Sequence, residues 1–222
     1  DGEAFYRNQI DFWTSDSTLT ADQIHDIGLA EVARIRGEME AIMGKVGFKG
    51  DLPAFFTHLR KDPANFFPNT DAGRQAYLDE SKVYSDVGKY FNVLPKAPLE
   101  VRRVEEWREE SAPIAFYNQP APDGSRPGIY YVNLKDMSTR QRHEIETVAY
   151  HEGAPGHHFQ IALEMEHPDR PPLRRFASDL AGGAFAEGWG LYAERLADEM
   201  GLPADQRRQL QVRPQQPAIG VG

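Results

Sequence analysis

Three of the chain's seven histidines, His151, His157 and His158, fall within eight positions, and Glu152 sits beside the first. The chain has no cysteine, so a transition metal would have to be held by imidazole nitrogens and carboxylate oxygens. A hydrolytic zinc centre needs three such ligands and one open position for water. It also needs a carboxylate that takes a proton from that water and delivers it to the leaving group. The short string His-Glu-x-x-His meets the need on one helix, with two imidazoles a turn apart. Here Gly153-Ala154-Pro155-Gly156 stands between Glu152 and His157, and the spacing is wider.

That spacing makes a geometric demand. On an unbroken helix His158 would be nearly eclipsed with His151 but about 10.5 Å along the axis, at ~1.5 Å per residue. With metal–nitrogen bonds of about 2.0–2.1 Å, two turns of separation is too far for the rings to converge easily. His157 would point to a different side. Gly153, Pro155 and Gly156 supply the remedy, since glycine and proline break or bulge a helix. The first helix is therefore expected to end near Glu152 and a new one to start at Pro155. Such a break can bring His157 or His158 back toward His151, and spacing alone leaves the choice open. The bland alternative is a kink carrying solvated histidines. His143 and His167 read as surface residues, and His25 and His58 as surface or capping groups.

The third ligand should come from another element, and Glu187 is the candidate, within Phe185-Ala-Glu-Gly-Trp-Gly-Leu-Tyr-Ala-Glu194. Its neighbours are apolar and small, where a bare carboxylate is costly unless ligated or paired with an arginine. Gly188 and Gly190 would let this helix approach the motif helix. Glu194 lies two turns on, where it could hydrogen-bond a ligand histidine or pair with Arg195. Ahead of the motif, Ile129 to Leu134 is the clearest strand. An edge strand beside a metal can hold an extended peptide through main-chain hydrogen bonds; ordinary sheet core is the alternative. Tyr130 or Tyr131 could reach an oxyanion, though only one face of a strand can point to the site. Tyr131 is carried as a candidate substrate contact, together with His158.

The remaining elements must position these groups. Thr20 caps a helix in which Ile24, Ile27, Val32, Ile35, Met39, Ile42 and Val46 recur at helical spacing, ended by Gly47. Further helices are expected over 52–59 and 71–90, the latter burying Tyr77, Leu78, Tyr84 and Val87. All three stripes read as core positions. Prolines punctuate 93–128, where strands are expected over 101–104 and 114–118 and a turn at Asp123-Gly124. Helix resumes over 139–150 with Ser138 as its cap, and again over 172–200 with a break near Gly182-Gly183. The fold class is mainly α with a small β-sheet, an α+β arrangement. Residues 1–201 form the domain, and 202–222 form a loose tail.

The chain has 222 residues and a net charge of −9, which disfavours nucleic acid and anionic membrane as partners, because phosphate binding needs a basic face. It has no apolar run long enough to insert in a bilayer. The absence of cysteine fits cytosol and periplasm equally. Starting at Asp1-Gly2-Glu3, the chain is expected to begin inside a longer natural protein.

Three strings resemble a known family: His151-Glu152-x-x-Pro155-Gly156-His157-His158-x-Gln160, Glu187-Gly-Trp-x-Leu-Tyr-Ala-Glu194, and Leu29-x-Glu31-Val32-x-Arg34-Ile35. Together they look like the bacterial domain-of-unknown-function family 885, grouped with the zincin metallopeptidases. The resemblance runs from about Phe5 to Gly201. It implies a zincin-like fold, one Zn2+ ion held by His151, His157 and Glu187, and Glu152 as general base. It favours His157 over His158 as ligand and an envelope or periplasmic location over the cytoplasm. Family members are longer, so this chain reads as part of a larger helical protein whose other segments contribute to activity. Zinc-dependent hydrolysis of peptide or related amide bonds is the function expected. The alternative is a truncated, non-catalytic metal-binding or helical scaffold module.

Overall fold

The computed structural model describes residues 1–83, 87–176 and 183–201. The expected tail, Tyr84 and the Gly182 half of the expected helix break lie outside the described residues.

The chain starts with α1 (Gly2–Thr14), a helix the sequence reading does not expect; Asp1 stands at its N-cap without a side-chain cap hydrogen bond. α2 (Ala21–Lys45) begins as expected at Thr20. The Thr20 hydroxyl accepts from the Gln23 amide at 3.2 Å, and the Gln23 side chain accepts from the Thr20 amide at 2.9 Å. This reciprocal pair satisfies two amides that the first turn otherwise leaves without partners. Arg34 pairs with Glu31 and Glu38, and Arg36 with Glu40, at helical spacing. Yet none of the 25 residues of α2 is buried: of the stripe, Ile27 and Val32 are exposed and Ile24, Ile35, Met39 and Ile42 only half-buried. This corrects the expectation that its stripe is core. An apolar stripe fixes which face seeks cover, not whether cover is present.

α2 packs on α3 (Leu52–Lys61) and carries its cap and ion pairs worth about 0.2–0.5 kcal/mol each. Its amides are therefore expected to exchange with solvent orders of magnitude faster than those of the central strand described below. Hydrogen-exchange mass spectrometry on peptides from 21–45 measures this, and equal protection in the two regions would show the account of α2 to be wrong.

α4 (Asp71–Val83) buries Tyr77 as expected, but residues 88–90 form a turn rather than more helix. The sheet follows, built from β1 (Leu99–Arg103), β2 (Ala115–Asn118) and β3 (Gly128–Val132) in the order β1-β3-β2. β1 runs parallel to β3, pairing Val101 with Tyr130, and β2 runs antiparallel, pairing Tyr117 with Tyr130. β3 is thus the centre of the sheet and not an edge, so the expectation of a peptide-binding edge there is corrected. Every residue of β3 is buried, as a strand covered on both faces must be.

Alternation sorts the two faces. Tyr130 and Val132 point into the main core with Ile145, Ala149, Tyr150 and Phe159. Ile129 and Tyr131 point the other way, into a smaller cluster with Val104 and Phe116.

The motif helix starts later than expected. Asp136, not Ser138, is the capping group: its carboxylate accepts from the Ser138 amide at 2.9 Å and closes a single tight turn, Met137–Thr139. Gln141 then bridges to Phe66, which holds the backbone extended. After a second tight turn, α5 (Ile145–Glu152) begins, followed by α6 (His157–Glu166), the short α7 (Pro172–Phe176) and α8 (Gly183–Glu199). The architecture is mainly helical with one three-stranded sheet, an α+β class. No described helix is long and apolar enough to cross a membrane.

Candidate metal centre

His151 and Glu152 are the last two residues of α5. The helix stops where the sequence expects it, with the Gly153 amide still bonded to the Ala149 carbonyl at 2.9 Å. The Ala154–Pro155 peptide is cis, and α6 starts at His157 with Gly156 as its cap residue. The chain folds back so tightly that a Cβ on Gly156 would lie 1.9 Å from the His151 carbonyl oxygen and 2.2 Å from that of Tyr150. Only glycine fits. Two groups from α6 and α8 fasten the turn. The Trp189 indole donates to the Pro155 carbonyl at 2.7 Å, and the Gln160 amide donates to the Phe185 carbonyl at 2.8 Å. Both residues stand in the strings quoted above, but their spacing alone says nothing of these partners.

The break brings His157, not His158, toward His151. Their rings are perpendicular with centroids 4.6 Å apart. α8 lays Glu187 across both, with 3.3 Å between His151 Nε2 and Glu187 Oε2 and 3.7 Å between His157 Nε2 and Glu187 Oε1. One donor atom from each of the three residues lies within 4.8 Å of the others. Ligand atoms about 2.0–2.1 Å from a tetrahedral ion stand roughly 3.3–3.4 Å from one another. Two imidazoles and a carboxylate gathered this closely are residues that could hold a metal ion.

Glu194 lies two turns further along α8, and its carboxylate accepts from His151 Nδ1 at 2.9 Å. This fixes the tautomer with the proton on Nδ1 and leaves the Nε2 lone pair aimed at Glu187. Burial alone would lower the His151 pKa; the hydrogen bond to Glu194 and the charges of Glu152, Glu194 and Glu187 outweigh it, and the pKa is raised. Glu152 is buried, and burial pushes its carboxyl up to about 7; His151 pulls it down, while Glu187 and Glu194 add to the rise. A cation between these groups would draw it down again.

Four further placements differ from the sequence reading. The Glu187 side chain is 65% exposed rather than enclosed by small apolar residues, so desolvation is not what demands a partner for it. Tyr131 lies on the far face of the sheet, stacked 5.0 Å from Phe116 and covered by the Arg108 guanidinium at 4.5 Å, and does not face the cluster. His143 is buried, not a surface residue, and burial lowers its pKa. His158 is also turned away from the cluster, bonded to Tyr117 and Ala97.

Gly190 sets how closely α8 approaches α5. A Cβ there would lie 2.6 Å from His151 Cε1 and 2.7 Å from Nε2. Gly190→Ala is expected to displace the His151 ring and weaken divalent-ion binding by at least about tenfold, with helix content retained. Titration with zinc against a chromophoric chelator checks this, beside circular dichroism; unchanged affinity would mean the ring does not need its present seat.

The family model described as a bacterial protein of unknown function, DUF885, matches residues 1–215. The comparison with curated proteins returns no match. Among solved structures the chain is similar to one described as "the putative lipoprotein from Colwellia psychrerythraea". That similarity has 36% identity and a TM-score of 0.88, and covers 94% of this chain and 36% of that one. A model matching nearly the whole chain, over the very strings that build the cluster, shows that this chain belongs to the DUF885 family of bacterial proteins.

Proposed function

We propose that the cluster binds one divalent cation, zinc by the chemistry of its donors, and serves hydrolysis of peptide or related amide bonds in a zincin-like manner. One observation carries this reading: His151 Nε2, His157 Nε2 and a Glu187 carboxylate oxygen converge across a broken helix, with Glu152 next to them. Two imidazoles and one carboxylate suit zinc better than magnesium or calcium, which prefer oxygen. When bound, the ion would supply a water acidified toward neutral pH and a Lewis acid for a carbonyl.

The chain's own groups take the remaining roles. Glu152 accepts a proton from the attacking water and returns it to the leaving nitrogen. Glu194 holds the His151 ring so that Nε2 faces the site. Glu187 closes the ligand set from the solvent side. A net charge of −9 supports a substrate other than nucleic acid. The word lipoprotein in the name of the Colwellia relative supports an envelope location.

A second reading is a metal-binding or scaffold module without turnover; the chain spans 36% of the length of the Colwellia relative. Metal analysis of protein purified without chelator tests the site, with about one zinc per chain expected. A broad peptide-library digest tests hydrolysis. A metal-free protein that takes up no added zinc would remove the first reading; zinc without any cleavage would leave the second.

A further inference from the structure

His157 and His158 are neighbours in sequence, yet only the first faces the cluster. The second is hydrogen-bonded to two separate segments beside the sheet and packs against a third. His158 Nε2 donates to the Ala97 carbonyl at 3.1 Å, and the Tyr117 hydroxyl on β2 bonds His158 Nδ1 at 3.0 Å. With Nε2 donating to a carbonyl, Nδ1 is the acceptor, so the ring is held as one neutral tautomer. The ring also lies against the first residue of β3, where a Cβ on Gly128 would be 2.4 Å from Nδ1. At the far end of α6, the Glu166 carboxylate accepts from the amides of Lys96 and Ala97 at 2.8–2.9 Å. The segment 96–97 is thereby tied to both ends of α6.

A helix held at two points about two turns apart can neither rotate nor slide, and successive side chains on a helix differ by about 100° in direction. Fixing the ring of His158 on the sheet side therefore fixes the direction in which His157 leaves the helix. We propose that His158 is a positioning residue for the metal centre: it keys the start of α6 to Ala97, Tyr117 and Gly128 and so aims His157 at His151 and Glu187. The proposal rests on the metal-binding reading above. It adds a role that neither spacing nor ligand chemistry assigns, since His158 touches none of the three ligand residues through its own ring bonds.

The test uses the full chain with zinc, and with Co2+ as a spectroscopic substitute, for the wild type, His158→Ala, His158→Gln, Tyr117→Phe and His157→Ala. The wild-type titration decides the metal reading by itself; the ratio of variant to wild-type affinity decides the role of His158. His158→Ala is expected to weaken zinc binding about ten- to a hundredfold and to alter the visible Co2+ absorption at saturating metal. That absorption reports coordination geometry, which a loss of fold stability alone does not move. His158→Gln keeps a donor for Ala97 and is expected to recover part of the loss. Tyr117→Phe, which leaves the ring in place, should fall between it and the wild type. Unchanged affinity and Co2+ spectrum in His158→Ala, with only a lower melting temperature, would overturn the proposal. So would a loss as complete as that of His157→Ala, because His158 would then be a ligand. A wild type that binds neither ion would remove the metal reading and this role with it.

Discussion

Glu152→Gln is expected to lower turnover by about 10²–10⁴-fold while zinc content and affinity stay within a few-fold of the parent. The reason is the separation of roles in the cluster. His151, His157 and Glu187 supply the converging donor atoms, and Glu152 is not among them. Its side chain is nonetheless buried at the same helix end, close enough for the charges of His151, Glu187 and Glu194 to act on it. Glutamine keeps the volume and loses the ability to carry a proton, so chemistry should suffer and metal binding should not. Steady-state rates on a substrate found in the library digest, with zinc measured on the same samples, give the answer. A Gln variant with parental kcat would assign the proton transfer to another group. Loss of zinc together with activity would instead make Glu152 part of the ion's seat.

Gly156→Ala is expected to destabilise the fold by more than about 3 kcal/mol, or roughly 6–12 °C in Tm for a chain of this size. The added methyl would meet two backbone oxygens at 1.9 and 2.2 Å, those of His151 and Tyr150. A flexible side chain could move aside from such an overlap, but the end of a helix cannot. The turn between α5 and α6 would have to open, stretching the Trp189–Pro155 and Gln160–Phe185 bonds that clamp it. Zinc affinity should fall with it, since His151 and His157 lie on opposite sides of the turn. Thermal denaturation of the metal-free variant measures the effect. A Tm within a degree or two of the parent would mean that the turn has slack the packing does not show.

Much of this was legible from local signals. The Thr20 cap and the stop at Glu152 are set by neighbouring residues, and the sequence displays them; the next helix starts at His157 with Gly156 as its cap residue, two residues past the expected Pro155. What was not legible depended on distant contacts. The start of α5 at Ile145 rather than Thr139 reflects an Asp136 turn and a bridge from Gln141 to Phe66. The sheet order placed Ile129–Val132 in the centre, and strand pairing is not written in any single strand. Spacing could not separate His157 from His158, because the partners of His158 sit at 97 and 117. The surroundings of Glu187 are not legible in the sequence for a related reason. Small apolar neighbours along α8 do not say which side of the helix is open to solvent.

That open side has a practical consequence. His151 and His157 are 18% and 10% exposed and fixed within the fold, whereas the Glu187 carboxylate stands 65% exposed at the mouth. On the proposed reading, two largely buried imidazoles and one exposed carboxylate would form a socket open to bulk water. On the proposed reading, a chelator would strip the chain without denaturing it, and resupplied zinc would restore it within the mixing time, with no refolding step between.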